Sequence, residues 1–269
     1  MIKKIILYLL LIISAFIMFA PIIYAVSVSF MTNMDVNNAT LIPSEPTFEA
    51  YKSAAERIPL FSFLINSLVI AIIIMVGEIF LASLAAFALV FIPFKGRNVL
   101  FILLLSTMMV PFEATIVSNV LTIVNLEWMN TYQGIIVPSL VTIFGIFLFR
   151  QHFLTLPKEL WEAAQMDGCS YFRYYFKFAL PLSKTVIGTL AIFSFISSWN
   201  SYLWPLLITN DDSVRTIQIG LKMLVSSQAS TNWPIVMAGS IIALLPTMLI
   251  LFFGLKYIRK GLLSGSLKG

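Results

Sequence analysis

Cysteine and histidine are almost missing: Cys169 and His152 stand alone among 269 residues. A single thiol excludes an intramolecular disulfide and a cysteine-based metal or redox pair, and a single imidazole excludes a multi-histidine metal site. Charge is scarce too, at 11% of residues against roughly 25% in soluble domains. So few charges cannot cover a water-facing surface, which excludes a soluble enzyme or an extracellular module. Gly followed by Lys occurs nowhere, so the phosphate cradle of a P-loop is missing and the chain cannot hydrolyse ATP by that route. A nucleophile elbow and a dense set of intramembrane acids suited to a proton relay are missing as well.

What is present is apolar: 59% of residues are hydrophobic, 14% are aromatic, and the mean hydropathy is +0.96. Crossing ~30 Å of hydrocarbon takes about 20 apolar residues in a helix. Six stretches qualify, approximately 5–28, 61–91, 99–124, 131–149, 185–209 and 234–257. The expectation is an all-α polytopic membrane protein, one transmembrane domain over residues 1–269, with a polar loop at 150–184. Lys3 and Lys4 precede the first stretch, which is too long for the ~7–15-residue apolar core of a signal peptide and reads as a retained span.

Basic residues orient the bundle. With the N-terminus inside, the inner set is Lys3, Lys4, Lys95, Arg97, Arg150, Lys158, Arg173, Lys177, Lys184, Lys256, Arg259, Lys260 and Lys268. Only Lys52, Arg57, Arg215 and Lys222 fall outside. Positively charged loops stay on the cytoplasmic side, so both termini are expected there. Trp128, Tyr132, Trp204 and Trp233 near outer boundaries, and Tyr257 at an inner one, form the pattern of headgroup-level aromatic belts.

Two acids, Glu78 and Glu113, lie within expected spans. An intramembrane carboxylate is costly and tends to face a bundle interior or a wet cavity. Pro111 precedes Glu113 and is expected to kink the third span. Glu113 reads either as part of a solute pathway or as a structural acid. Glu78, followed by Ala82, Ser83, Ala85, Ala86 and Ala88, reads as structural, at a close helix contact.

The loop Arg150–Lys184 carries the most information. Pro157 suits a helix start, Lys158 to Met166 are mostly good helix formers, and Gly168 suits a left-handed stop. Ser170 can cap a second segment in which Tyr171, Tyr174, Tyr175 and Phe178 recur at helical spacing, and Pro181 punctuates the entry to the fifth span. A helix, a glycine and a second helix, projecting inward, make a docking element rather than a plain connector.

Glu162-Ala163-Ala164, then Gly168 after three residues, then Phe178-x-Leu180-Pro181 resembles the EAA loop of bacterial ABC-importer permeases, with Phe178 where that family favours Ile. Phe149-Arg150-Gln151, Leu156-Pro157, Asp167-Gly168, Pro181-Leu182-Ser183-Lys184 and the run Trp199–Leu206 resemble its carbohydrate branch of maltose, arabinose-oligosaccharide, multiple-sugar and glycerol-3-phosphate permeases. The resemblance implies a MetI-like permease fold in the bacterial cytoplasmic membrane. It implies a second homologous permease subunit, two cytoplasmic ATPase subunits and an extracytoplasmic solute-binding protein. ATP and Mg would be used by the ATPase subunits, with no cofactor bound by this chain and no catalytic residue in it. By the same resemblance Glu162, Ala163, Ala164, Asp167, Gly168, Leu180 and Pro181 would couple ATPase closure to the spans, the two alanines permitting close approach.

Sugars are held by hydrogen bonds to hydroxyls and by stacking on aromatic faces. The outer half of the fifth span offers Ser197, Asn200, Tyr202 and Trp204, which join Glu113 as candidate solute-pathway residues. The same polar residues also suit helix–helix hydrogen bonding, and Trp204 suits interfacial anchoring. An outer segment, 47–58, reads as a short amphipathic helix capped by Thr47, with Phe48, Tyr51 and Ile58 free to meet membrane or binding protein. Two other classes remain open: a secondary transporter coupled through Glu78 and Glu113, and a membrane-embedded enzyme.

Overall fold

The computed structural model describes residues 2–225 and 231–266, with side chains over 4–225 and 231–254. Lys3, Lys268 and the side chains of Lys256, Tyr257, Arg259 and Lys260, used above for orientation, lie outside these side-chain ranges. The described residues are helical without strands. In chain order the helices are α1 (Ile2–Ser29), α2 (Asn33–Asn37), α3 (Glu49–Arg57), α4 (Leu60–Phe91), α5 (Arg97–Thr107), α6 (Phe112–Asn125), α7 (Tyr132–Ile136) and α8 (Ile143–Phe153). There follow α9 (Lys158–Met166), α10 (Tyr171–Tyr174), a π-helical turn Tyr175–Ala179, α11 (Leu180–Leu182), α12 (Lys184–Trp199), α13 (Leu203–Ile208), α14 (Ile217–Leu224) and α15 (Trp233–Ser266).

Lys4–Ser29, Leu60–Phe91 and Trp233–Gly254 are long and apolar enough to cross a membrane unbroken. Three bent pairs, α5 with α6, α7 with α8, and Tyr171–Leu182 with α12, bring the total to six if each pair is one span. The third expected span is therefore broken at Pro111, where a kink was expected. The fourth is broken at 140–142 and the fifth at 200–202, where continuous helices were expected. At the first break the axes turn by 95°, far beyond a kink. Pro111 has no N–H to donate and pushes Val110 out of the helical region. The chain tightens accordingly, with Met108, Met109 and Val110 N–H bonding to Leu105, Ser106 and Thr107 carbonyls at 3.1 Å each. Pro205 acts similarly further on. Its ring opposes the carbonyl four residues back, at Ser201, so α12 ends at Trp199 and α13 starts afresh at Leu203.

The chain divides into two compact units, one of residues 1–65 and 216–246, the other of 66–215 and 247–269. In the first, residues 4–19 of α1 are exposed all round, the pattern of a helix that faces lipid. Asp35 is the polar hub, accepting from the Thr32 N–H and hydroxyl at 3.0 Å and from the Ser44 hydroxyl at 2.6 Å. Ser44 foremost, with Thr32, holds the Asp35 carboxyl below its ordinary range. The amphipathic segment is α3, with Phe48 at the cap position, and Thr47 one residue earlier still accepts from the Glu49 N–H at 3.2 Å. Ile58, expected on the surface, is buried at 4% exposure, and Gly220 lies so near that a Cβ there would meet Phe63 Cδ2 at 2.6 Å and Ile58 Cδ1 at 3.1 Å.

The second unit has two apolar cores. One gathers Phe87, Phe101, Phe149, Phe153, Tyr174, Tyr175 and Leu190 with the small Ala82, Ala86, Ala164 and Ala179. The other joins Ile70, Ile74, Ile123, Ile135, Trp204 and Ile208. Trp204 is 6% exposed, so it is a core residue and not a headgroup anchor. Asn66 ties three segments of this unit together: its carboxamide donates to the Ser213 and Arg215 carbonyls at 3.0 Å and accepts from the Tyr132 hydroxyl at 2.6 Å.

Candidate functional site

The polar loop is built from local rules. Pro157 adopts an extended conformation (φ −58°, ψ 131°) and occupies the cap position, one residue before the first helical position expected for it. At the other end Gly168 is left-handed (φ 69°). Its N–H reaches the Gln165 carbonyl at 3.0 Å while the Cys169 N–H reaches the Ala164 carbonyl at 2.9 Å. That pair of bonds is a complete Schellman motif, which satisfies carbonyls the helix end would leave orphaned. Ser170 then accepts from the Arg173 N–H at 3.3 Å and starts α10. A π turn follows and ends at Ala179, two residues before Pro181; the wider turn accommodates a residue that cannot donate to the ladder.

Aromatic rings fasten α9 to the core. Trp161 lies 4.7 Å from the Tyr174 ring, 5.0 Å from Tyr171 and 5.9 Å from Phe91 at the end of α4. Below them the Tyr175 and Ser83 hydroxyls form a buried 2.7 Å hydrogen bond between the π turn and α4. Glu162, Ala163, Asp167 and Gly168 are exposed, whereas Ala164 turns inward and packs in the core at 7% exposure. Leu180 packs against that same core and Pro181 is exposed. Of the two alanines, then, Ala163 presents a surface and Ala164 lets α9 approach its own chain. Met166, unremarked in the sequence, stands 89% exposed at the tip. Arg150 figured in the sequence as a topological charge and within Phe149-Arg150-Gln151; its guanidinium sits 4.0 Å over the Phe101 ring and donates to Asn98 Oδ1 at 3.4 Å.

A second site is a cleft of about 670 Å³ within the second unit, lined by Glu113, Asn119, Thr122, Ser139, Ser201, Tyr202, Trp204 and the Phe112 ring among others. The break at Pro111 places Glu113 in the first turn of α6, and the break before Leu203 brings Ser201 and Tyr202 to the same wall. Phe112 and Trp204 meet edge to face, centroids 6.0 Å apart. The cleft thus unites Glu113, Tyr202 and Trp204. Ser197 and Asn200 are exposed and do not line it, and the Asn200 carboxamide donates to the Ile196 carbonyl at 2.9 Å. Asn119, Thr122 and Ser139 are additions. Asn119 and Thr122 follow Pro111 at helical spacing, a signal visible in the sequence, whereas Ser139 comes from another element and has no such signal. Glu78 is outside this wall.

Comparison with known proteins gives a consistent result. The profile of the family described as "Binding-protein-dependent transport system inner membrane component" matches residues 78–264. The sn-glycerol-3-phosphate transport system permease protein UgpE of Brucella abortus (strain 2308) is 39% identical over 267 residues, covering 96% of this chain and 95% of that protein. The arabinooligosaccharides transport system permease protein AraQ of Halalkalibacterium halodurans is 34% identical over 260 residues, 95% and 93% covered. A chain from the crystal structure of a bacterial ABC transporter involved in the import of the acidic polysaccharide alginate superimposes with a TM-score of 0.86 at 24% identity, over 95% of this chain and 96% of that one. The last likeness establishes the fold, that of an ABC-importer permease. The comparisons lend no support to a secondary transporter coupled through Glu78 and Glu113.

Proposed function

Because this chain belongs to the family of inner membrane components of binding-protein-dependent transport systems, we propose that it is the permease subunit of an ATP-driven importer for a sugar, an oligosaccharide or sn-glycerol-3-phosphate. α5 with α6, α7 with α8, and α12 with α13 each count as one span, giving six with the three unbroken helices. Both termini and the loop at 150–184 lie on the cytoplasmic side of a bacterial plasma membrane. The excess of Lys and Arg assigned to the inner face supports that orientation. A second homologous permease subunit completes the pathway, two ATPase subunits consume ATP with Mg, and an external solute-binding protein delivers cargo.

One observation carries the reading: α9 is a short helix opened by Pro157 and closed by the Gly168 Schellman motif, exposed at Glu162 and Ala163 and held on its inner side by Ala164 and Trp161. A helix so fastened moves as a body. A push delivered at Glu162, Ala163, Asp167 and Gly168 passes through Trp161 to Phe91 on α4, and through Tyr175 to Ser83. Leu180 and Pro181 lead the push into α12. Alternating access is then a population shift driven by the difference in ATPase contacts between two states. Glu162→Lys and Gly168→Pro should leave membrane insertion intact while abolishing uptake and weakening ATPase recruitment. Normal uptake by both variants contradicts the mechanism.

A further inference from the structure

We propose that the turn between α4 and α5, with the end of α8, holds an anionic glycerophospholipid of the inner leaflet. Its phosphate lies at Lys95, Arg97 and Arg150, and an acyl chain runs along the exposed face of α5. The inference rests on the orientation given above, which puts this turn at the cytoplasmic headgroup level. Two contacts assemble the cations. The Arg97 guanidinium folds back to donate to the Val90 carbonyl near the end of α4 at 3.2 Å. Arg150, in the last turn of α8, makes its hydrogen bond to the next residue of α5, the neutral Asn98 Oδ1, at 3.4 Å. Lys95 stands exposed two residues before Arg97.

None of the three meets a carboxylate. Among the described residues the ion pairs are Lys52 with Glu56 and Arg215 with Asp212, so the charge of this turn is uncompensated there. The helix that follows adds to the imbalance. A helix start carries partial positive charge and favours acids, yet the first turn of α5 has no Asp or Glu and no side chain caps it. An anion from outside the chain offsets such crowding, and a phosphodiester is a natural partner of guanidinium and ammonium groups. The neighbouring apolar surface favours a lipid over a free anion. Val99, Ile102 and Leu103, spaced i, i+3 and i+4 on one face of α5, are 62%, 61% and 59% exposed. Phe94, in the turn itself, is 40% exposed. A soluble phosphate would use the cations and leave this strip bare, whereas a lipid covers both. Basic pockets between membrane helices on the cytoplasmic side are an ordinary setting for anionic headgroups.

The test uses the complete transporter in nanodiscs of phosphatidylcholine with a minor share of phosphatidylglycerol. Val99→Cys, with Cys169→Ser and cysteine-free partner subunits, carries a thiol-coupled benzophenone, and adducts formed on illumination are identified by mass. Phosphatidylglycerol should be captured about tenfold or more above its bulk share. Lys95→Gln with Arg97→Gln should return capture to the bulk share, while Lys95→Arg with Arg97→Lys should preserve the enrichment, as should excess inorganic phosphate. Capture at the bulk share with all three cations present, or undiminished enrichment in the Gln pair, overturns the proposal. Loss of enrichment in the charge-preserving pair overturns it too, because charge is then not the cause. Displacement by inorganic phosphate assigns the cations to a free anion, and cross-linking to a permease or ATPase chain assigns the face to protein; either result overturns the lipid site. Lys95→Cys, again with Cys169→Ser, is reacted with an impermeant maleimide to separate the site from the orientation. Labelling in inverted vesicles alone keeps the orientation, so failed lipid capture then counts against the site by itself. Labelling from the outer face overturns the orientation and the site with it.

Discussion

Replacing Gly168 in a graded series isolates how the end of α9 is held. Its φ of 69° is left-handed, and a Cβ built there meets nothing within 4 Å. Substitution therefore costs backbone conformation and no steric clash. A left-handed non-glycine residue costs roughly 1–2 kcal/mol, less for Asn. Proline costs more, because it forbids φ near +69° and deletes the N–H that reaches the Gln165 carbonyl. The expected order of damage is Asn, then Ala, then Pro. Since about 1–2 kcal/mol is a factor of 5–30 in a local opening equilibrium, Gly168→Ala should speed hydrogen exchange at the Cys169 amide by that factor. Exchange over residues 158–170 of the assembled transporter gives the readout, with uptake measured in parallel. Import should fall modestly for Ala and vanish for Pro. Equal import by the Ala and Pro variants, or unchanged Cys169 exchange in the Ala variant, refutes the reasoning.

Trp161→Ala should loosen α9 from Phe91, Tyr171 and Tyr174, costing roughly 2–3 kcal/mol for a half-buried ring, so that ATP hydrolysis persists while uptake falls; unchanged uptake per ATP hydrolysed argues against transmission through these rings. Ser83→Ala leaves the buried Tyr175 hydroxyl unpaired and should cost about 1–3 kcal/mol in thermal stability. Tyr175→Phe should be milder, because Ser83 retains its 3.0 Å bond to the Phe80 carbonyl, and the double variant should be less damaged than the sum of the two. Asp35 has a folded pKa depressed below its ordinary 3.8, so its stabilisation is present above that value and is lost as pH falls through the lower, folded one. Asp35→Asn should flatten the acid limb of a thermal-shift titration, and an unaltered limb counts against the Ser44–Thr32 hub.

How legible each feature was depends on how local its cause is. The ends of α9 follow from Pro157 and Gly168 because capping involves only neighbouring residues, and the bounds Lys158–Met166 were visible in the sequence. The face of α9 that turns inward was not visible. Ala163 and Ala164 are adjacent and equally small, and only the aromatic cluster supplied by α4, α8 and α10 decides that Ala164 is the buried one. Pro111 announced a bend but not its 95° extent, which depends on how Met108 to Val110 close the turn. Trp204 looked like a headgroup anchor from its position near a span end, yet Phe112 and the second core enclose it. The cleft draws residues from α6, the turn after α7 and the segment before α13. Helical spacing relates residues within one element only, so Ser139 escaped notice, and Ser197 and Asn200, picked out by spacing, do not line this cleft.

Whether α9 receives the ATPase subunits is tested most directly at Met166, the exposed tip of the helix. With Cys169→Ser as background, Met166→Cys is exposed to a membrane-impermeant maleimide in intact spheroplasts and in inverted vesicles, with and without the ATPase subunits. Residue 166 should be unreactive from outside, reactive in inverted vesicles, and shielded there once the ATPase subunits are bound. Labelling from the outer face, or labelling in inverted vesicles that bound ATPase subunits leave unchanged, contradicts the account.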